Sequence, residues 1–289
     1  MTKPLNYAGA LTVLALCFSS APASAQAVVD GFDDNTLAAN DDGFVGPVSL
    51  GFLANFYGEN FDQVYVNNNG NVTFGSGLST YTPFGLGSGY TGAPIIAPFF
   101  ADIDTRASGS DQVTYGTGMF DGYDAFGVNW VDVGYFARQD DKLNSLQLIL
   151  VDRSDVSAGD FDIYFNYDQI TWETGSASGG TNGFGGTSAA AGFSNGTGVD
   201  GTYYQFPGSR VNGALLDGGS NALVSGSNIG FDGRYLFQVR SGNVAPPPPP
   251  MGAVPEPATW TMMLIGFFGV GLTLRTREPK VASVRVSYC

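Results

Sequence analysis

The sequence predicts an all-β fold, an antiparallel β-sandwich. Three observations carry that prediction. Apolar and aromatic residues recur in short runs that alternate with polar ones, the period of a strand with one buried face. Gly is abundant, at 42 of 289 residues, and charged residues are only 13%, the composition of short strands joined by tight turns. No stretch between residues 26 and 245 has a convincing 3.6-residue amphipathic period, and many short strands punctuated by turns make a sandwich or a barrel.

Taken in order, residues 1–25 read as a secretory leader. Lys3 is its basic start, residues 8–18 its apolar core, and Ala23-Ser24-Ala25 its small-residue cleavage site, so the mature chain is expected to begin at Gln26. Acylation at Cys17 fits poorly, because the large Leu16 precedes it. Residues 26–47 are acidic and turn-rich, with Asp33, Asp34, Asp41 and Asp42. Their spacing is not that of an EF-hand loop, and they read as a solvated lead-in. The β domain is expected over 48–240.

Within that domain, strands 63–67 and 71–75 flank Asn68-Asn69-Gly70, a strong hairpin signal because Asn and Gly tolerate positive φ. Strands follow at 95–100, 112–116, 126–133, 146–151, 161–167, 189–193, 203–206 and 235–239. Leu146, Leu148 and Leu150 share one face, and 161–167 has the alternation of a half-buried antiparallel strand. The Gly/Ser/Thr-rich segment 175–186 reads as a mobile loop. A run of five prolines at 246–250 ends the domain as a semi-rigid spacer within a linker over 241–257. Residues 258–274 then carry no charge, and at ~1.5 Å per residue a helix there spans ~26 Å, close to a bilayer core. Arg275, Arg277 and Lys280 follow in the tail 275–289. By the positive-inside rule that tail is cytoplasmic and the β domain lies outside.

The stretch 95–106, Ile-Ile-Ala-Pro-Phe-Phe-Ala-Asp-Ile-Asp-Thr-Arg, looks like a buried strand with an acidic tip. On a continuing strand Asp102 and Asp104 share a face, with Arg106 on it again. Three uses compete for the pair: tying down a loop through Arg106, binding Ca²⁺, or acid–base chemistry. Same-face neighbours stand ~7 Å apart, which overlaps the ~6.5–9.5 Å of an inverting glycosidase, although any Asp-x-Asp on a strand does so. Ca²⁺ takes about 6–8 oxygens and needs further ligands. Trp130, Trp172 and Tyr164 offer either core packing or a sugar-stacking platform. Asp140, Asp141 and the acidic run 152–155 read as turn residues.

Composition narrows the function. The chain has no His, which removes the commonest general base and a principal zinc ligand. Its two Cys, Cys17 and Cys289, both fall outside the β domain, so that domain has no disulfide. Net charge is −14 for the chain. Over 26–257 it is −18, from 7 Lys and Arg against 25 Asp and Glu. A nucleic-acid partner is therefore not expected. The charge suits a soluble exported surface, or one bridged by divalent cations to anionic polysaccharide.

Two resemblances sharpen this reading. Val254-Pro255-Glu256-Pro257, the apolar segment opening with Trp260, and the Arg275/Arg277 cluster together resemble a PEP-CTERM sorting signal. That implies the envelope of a Gram-negative bacterium, a membrane anchor before processing, and cleavage near Pro-Glu-Pro by an exosortase-type enzyme. Such proteins usually accompany exopolysaccharide. The tail past the basic cluster, to Cys289, departs from the pattern. The middle of the chain resembles the nidogen-like (NIDO) domain. The matching residues are 64–70, 97–106, 131–135, 146–151, 165–167, 191–193 and 233–237, in the family's order across 48–240. This resemblance implies an extracellular matrix or adhesion role and transfers no catalytic residue. The expected function is thus an exported structural or adhesion protein and not an enzyme, with exopolysaccharide or matrix proteins as partners. The alternatives are a carbohydrate-active enzyme using Asp102 and Asp104, or a Ca²⁺-dependent carbohydrate-binding module.

Overall fold

A computed structural model describes residues 26–244 and the single residue 287. The expected leader, the Pro-rich linker, the apolar segment 258–274 and all of the basic tail but residue 287 lie outside the described residues. No helix among the described residues is long and apolar enough to cross a membrane.

Thirteen strands form two antiparallel sheets. They are β1 (Asn35–Thr36), β2 (Phe44–Phe56), β3 (Glu59–Asn67), β4 (Asn71–Thr73), β5 (Ile95–Phe100), β6 (Thr114–Phe120), β7 (Tyr123–Tyr135), β8 (Gln139–Asp152), β9 (Phe161–Gln169), β10 (Ala190–Ser194), β11 (Tyr203–Gln205), β12 (Arg234–Arg240) and β13 (Asn243–Val244). The seven-stranded sheet runs β1-β6-β7-β8-β9-β12-β13, and the six-stranded sheet runs β11-β10-β5-β4-β3-β2. Besides the strands, the described residues hold one 3₁₀ turn, Ser176–Ser178.

One hydrophobic cluster draws on both sheets, as a sandwich requires. Leu146, Leu148 and Leu150 of β8 and Phe161, Ile163 and Phe165 of β9 meet Phe56, Val64, Val66, Val72 and Phe193 of the other sheet. Phe56 sits edge-on to Phe161 at 6.2 Å and to Phe193 at 6.4 Å. The alternation of β8 is obeyed: Ile149 and Val151 point the other way, into a smaller cluster with Phe32, Phe120 and Ala125.

That second cluster corrects the reading of 161–167 as a half-buried strand. Asp162 and Asn166, on its outer face, are also buried: Asp162 lies between Arg153 and Arg240, and Asn166 lies under the N-terminal segment. The covering segment is held by polar side chains that run across four neighbouring strands. Asn129 pairs in register with Gln147, Gln147 with Asn166, and Asn166 with Arg234. Gln147 Nε2 donates to Asn129 Oδ1 at 2.8 Å, Asn166 Nδ2 to Gln147 Oε1 at 2.9 Å, and Arg234 Nε to Asn166 Oδ1 at 3.0 Å. The outer ends of these groups take the incoming backbone: Asn129 donates to Gly31 and Phe32 carbonyls, Gln147 to Val29, Arg234 to Ala27. Residues 26–47 are therefore more than the solvated lead-in expected from their acidity: Ala27, Phe32 and Leu37 are buried, while Asp30, Asp33 and Asp34 stay exposed. They form a pinned cover, and β2 already begins at Phe44.

The hairpin lands where expected but is closed in. Asn67, Asn68, Asn69 and Asn71 are all buried. At Gly70, with φ of 72°, a Cβ would stand 1.8 Å from the Phe99 carbonyl oxygen of β5, so only Gly permits β5 to lie this close. The segment 175–186 folds back on itself, so that a Cβ at Gly186 would meet the Ser178 carbonyl at 2.5 Å; Gly175, Ser178 and Gly183 are buried, while Ser176, Ala177, Thr181, Asn182 and Phe184 are exposed. Gly70→Ala is expected to cost at least ~3 kcal/mol or to prevent folding, whereas Gly75→Ala, which faces open space and pays only for its positive φ, costs ~1 kcal/mol. Urea unfolding of the two variants checks the difference.

Candidate functional site

The acidic tip of 95–106 does not continue as a strand. β5 stops at Phe100, and the chain turns out of the six-stranded sheet toward the end of β7. Ile103 makes an isolated bridge to Tyr135. The Asp104 N–H donates to the Gly134 carbonyl, and the Phe136 N–H donates to the Asp102 carbonyl. Three residues thereby link the two sheets. The turn is built on the hairpin amides: Asn69 Oδ1 accepts from the Ile103 N–H at 2.9 Å, and Asn68 Nδ2 donates to the Ile103 carbonyl at 2.6 Å.

The same two asparagines bring in the N-terminal cover. Asn68 Nδ2 donates to the Asp41 carbonyl at 2.6 Å, and Asn69 Nδ2 to Asp42 Oδ1 at 2.9 Å. Thr105 closes the joint, its N–H donating to the Asn40 carbonyl while its hydroxyl accepts from the Asn40 N–H. Asp41, Asp42, Asp102 and Asp104 thus converge from segments some sixty residues apart in the chain.

Asp102 and Asp104 have opposite surroundings. Burial works to raise the Asp104 pKa, but the Arg106 side chain and the Arg106 and Arg138 N–H groups overcome it and hold the carboxyl below the ordinary carboxylate value. Arg106 Nε and Nη2 donate to its two oxygens at 2.8 and 2.6 Å, and the Arg138 N–H donates to Oδ2 at 2.8 Å. This is the loop-tying use foreseen for Arg106. Asp102, 1% exposed, has no such partner, and its Oδ2 accepts no hydrogen bond. Burial, then the charges of Asp41, Asp42 and Asp104, push its carboxyl up to about 7, against the Ser178 hydroxyl beside it. Asp41 is pushed up to about 6 by burial and by Asp104 and Asp42, against the pull of Arg106 and Arg138. Arg106 Nη2 also lies 2.9 Å from Asp41 Oδ2. Both Asp104 oxygens are thus taken up by nitrogen donors. One oxygen from each of Asp41, Asp42 and Asp102 lies within 4.8 Å of the others.

The remaining candidates fall into place. Trp130 and Trp172 are fully buried. Trp130 Nε1 donates to the Asn67 and Asn68 carbonyls and Trp172 Nε1 to Val133, so neither ring is open to a sugar and the stacking platform is not formed. Tyr164 packs on Phe120 at 4.8 Å on the outer face. Asp152 takes the Ser154 N–H, the turn role expected of it. Asp140 and Asp141 open strand β8, where Asp140 takes the Gly109 N–H and Asp141 the Tyr135 hydroxyl. Gln26 is exposed beside a buried Ala27. Ala23, Ala25, Val254, Pro255, Glu256, Pro257, Trp260, Arg275 and Arg277 lie outside the described residues. What the sequence did not single out is the part of Asp41 and Asp42; a turn-like Asp-Asp-Gly carries no sign of a partner at residue 102.

A family model described as the nidogen-like domain matches residues 62–241, more than half the chain. Alpha-tectorin of Mus musculus is 31% identical over 244 residues, covering 74% of this chain and 10% of its own length. Alpha-tectorin of Homo sapiens is 30% identical with the same coverage. Nidogen of Drosophila melanogaster is 30% identical over 210 residues, 64% of this chain and 14% of its own. The chain thus spans about a tenth of the alpha-tectorins it matches. No solved structure matches it significantly.

Two outcomes follow from the contrast between the carboxylates. Arg106→Met strips the buried Asp104 of its counter-ion and is expected to cost ~2 kcal/mol in urea unfolding, a value reduced because the guanidinium is partly exposed. Asp102 binds its proton more tightly folded, near 7, than at its ordinary 3.8. The folded state therefore holds more protons than the unfolded one between those values, and stability falls as pH rises from about 4 to about 7. Asp41 adds the same sign up to about 6. Asp104 has the opposite sign, lost only as pH drops through the acid range. Melting temperatures across pH 4–8 in chelator should decline, and Asp102→Asn should flatten the decline.

Proposed function

The chain belongs to the nidogen-like domain family, and from that premise we propose that it is an exported structural or adhesion protein of the cell surface or extracellular matrix. The family match across residues 62–241 is the observation that carries the reading. The leader at 1–25 and the net charge of −18 over 26–257 support an exported, soluble β-sandwich domain.

The finer reading adds the route. The Pro-Glu-Pro motif, the apolar segment 258–274 and the Arg275/Arg277 cluster support sorting through the envelope of a Gram-negative bacterium. The segment anchors the domain until an exosortase-type enzyme cuts near 255–257. Exopolysaccharide or matrix proteins are then its partners. A carbohydrate-active enzyme built on Asp102 and Asp104 is disfavoured by their burial, at 1% and 0% exposure. A general acid must reach the glycosidic oxygen, and Arg106 already engages Asp104.

Cell fractionation with mass spectrometry of the mature C-terminus tests the route. The expected product lies outside the cytoplasm, begins at Gln26 and ends near 255–257. A chain retained in the cytoplasm with an intact Cys289 would overturn both the sorting and the export.

A further inference from the structure

The geometry points to a calcium site made by Asp41, Asp42 and Asp102. One carboxylate oxygen of each stands within 4.8 Å of the other two. Two oxygens bound to the same calcium ion at ~2.4 Å are at most ~4.8 Å apart, so the spread of the three matches one ion. Acidic clusters are common without a ligand. This one is set apart by a buried, unpartnered acceptor: Asp102 is 1% exposed and its Oδ2 has no hydrogen-bond partner, the nearby Ser178 hydroxyl being paired with the Thr82 hydroxyl. Asp41 Oδ1 is also buried and unpartnered. An ionised oxygen removed from water without a donor is strongly disfavoured, and the neighbouring guanidinium of Arg106 is engaged by Asp104 and by the other oxygen of Asp41.

The scaffold orients these groups for a ligand. Asn69 holds Asp42 through one oxygen and Arg106 holds Asp41 through one oxygen, while the sheet-linking turn fixes Asp102 by its backbone. The donor set is all carboxylate, in a chain without His, which suits a hard cation and not a soft one. Asp102 is dry, so an ion reaching it must shed water. Calcium does so readily and accepts an irregular shell, whereas magnesium dehydrates reluctantly. Asp41 and Asp42 are only partly buried, and water completes the shell from their side. The ion clamps the N-terminal cover to the exit of β5. Two of its three ligands precede residue 62, where the family match begins.

The full-length protein is stripped with EGTA and followed by thermal unfolding and calorimetric titration with calcium chloride or magnesium chloride. The expected result is one calcium per chain and a rise in melting temperature that magnesium reproduces only weakly. Asp102→Asn and Asp42→Asn should each weaken calcium binding ~tenfold or more. Asp152→Asn, in a separate acidic turn, should leave it unchanged. In EGTA, Asp102→Asn should melt no lower than the unsubstituted protein, which separates loss of binding from loss of fold. No shift at millimolar calcium, an equal shift with magnesium, or an equal loss in Asp152→Asn would overturn the site.

Discussion

The structure depends on a hairpin whose asparagines face inward. Turn asparagines usually meet water. Here Asn68 and Asn69 are buried, and their amides hydrogen-bond both the exit turn of β5 and the N-terminal cover. A chain leaving a sheet strands its backbone N–H and C=O groups, and buried backbone groups without partners are costly. Asn69 Oδ1 accepts from the Ile103 N–H, and Asn68 Nδ2 donates to the Ile103 and Asp41 carbonyls. Trp130 then seals the hairpin from the opposite sheet by donating to the Asn67 and Asn68 carbonyls. Removing either side-chain amide would loosen the sheet-linking turn and the N-terminal cover together, because both are held by the same two side chains, while Trp130 keeps its bonds to the hairpin backbone.

A second polar device solves the converse problem on the outer face. Strand β9 buries both faces, although its sequence alternates as if one were wet. Apolar residues on the outer face would have covered themselves without selecting a particular segment. The row Asn129, Gln147, Asn166 and Arg234 instead presents donors at fixed spacing, and only a backbone running across the strands in the position of residues 27–32 satisfies them. Phe32 supplies the apolar contribution by packing against Phe120, Ala125 and Ile149. Specificity thus comes from the amides and the driving force from the ring.

Much of this was legible from local pattern. The alternation of Leu146, Leu148 and Leu150 identified an inner face, the continuous apolar run at 95–100 identified a fully buried strand, and Asn-Gly identified the hairpin. Each signal rests on residues a few positions apart. What stayed hidden rests on distant pairs. β2 contains Pro47 and irregular register against β3, which an edge strand tolerates but which erases a clean alternation. The packing of the N-terminal segment has no local signal, because the side chains that hold residues 27–32 belong to β7, β8 and β12 and those that hold residues 40–42 are Asn68, Asn69 and Thr105. Asp102 and Asp104 were assigned to one face on the assumption that β5 continues, and the turn at Ala101 breaks that assumption.

The turn also shows why neighbouring carboxylates need not share a role. Burying a carboxylate calls for a compensating charge or a dense set of donors. For Asp104 the sequence carries that compensation two residues away, in Arg106, and the bidentate contact forms within a single turn. Asp102 has no cation at comparable reach, and the segments that arrive beside it bring Asp41 and Asp42, which add negative charge. A fold that gathers three carboxylates around one dry oxygen leaves that oxygen two ways to be neutralised, a proton or a metal ion. The proton answers only Asp102 itself. A divalent ion answers all three carboxylates at once and holds the cover to the sheet, which is why the arrangement favours an ion wherever calcium is plentiful, as it is outside cells.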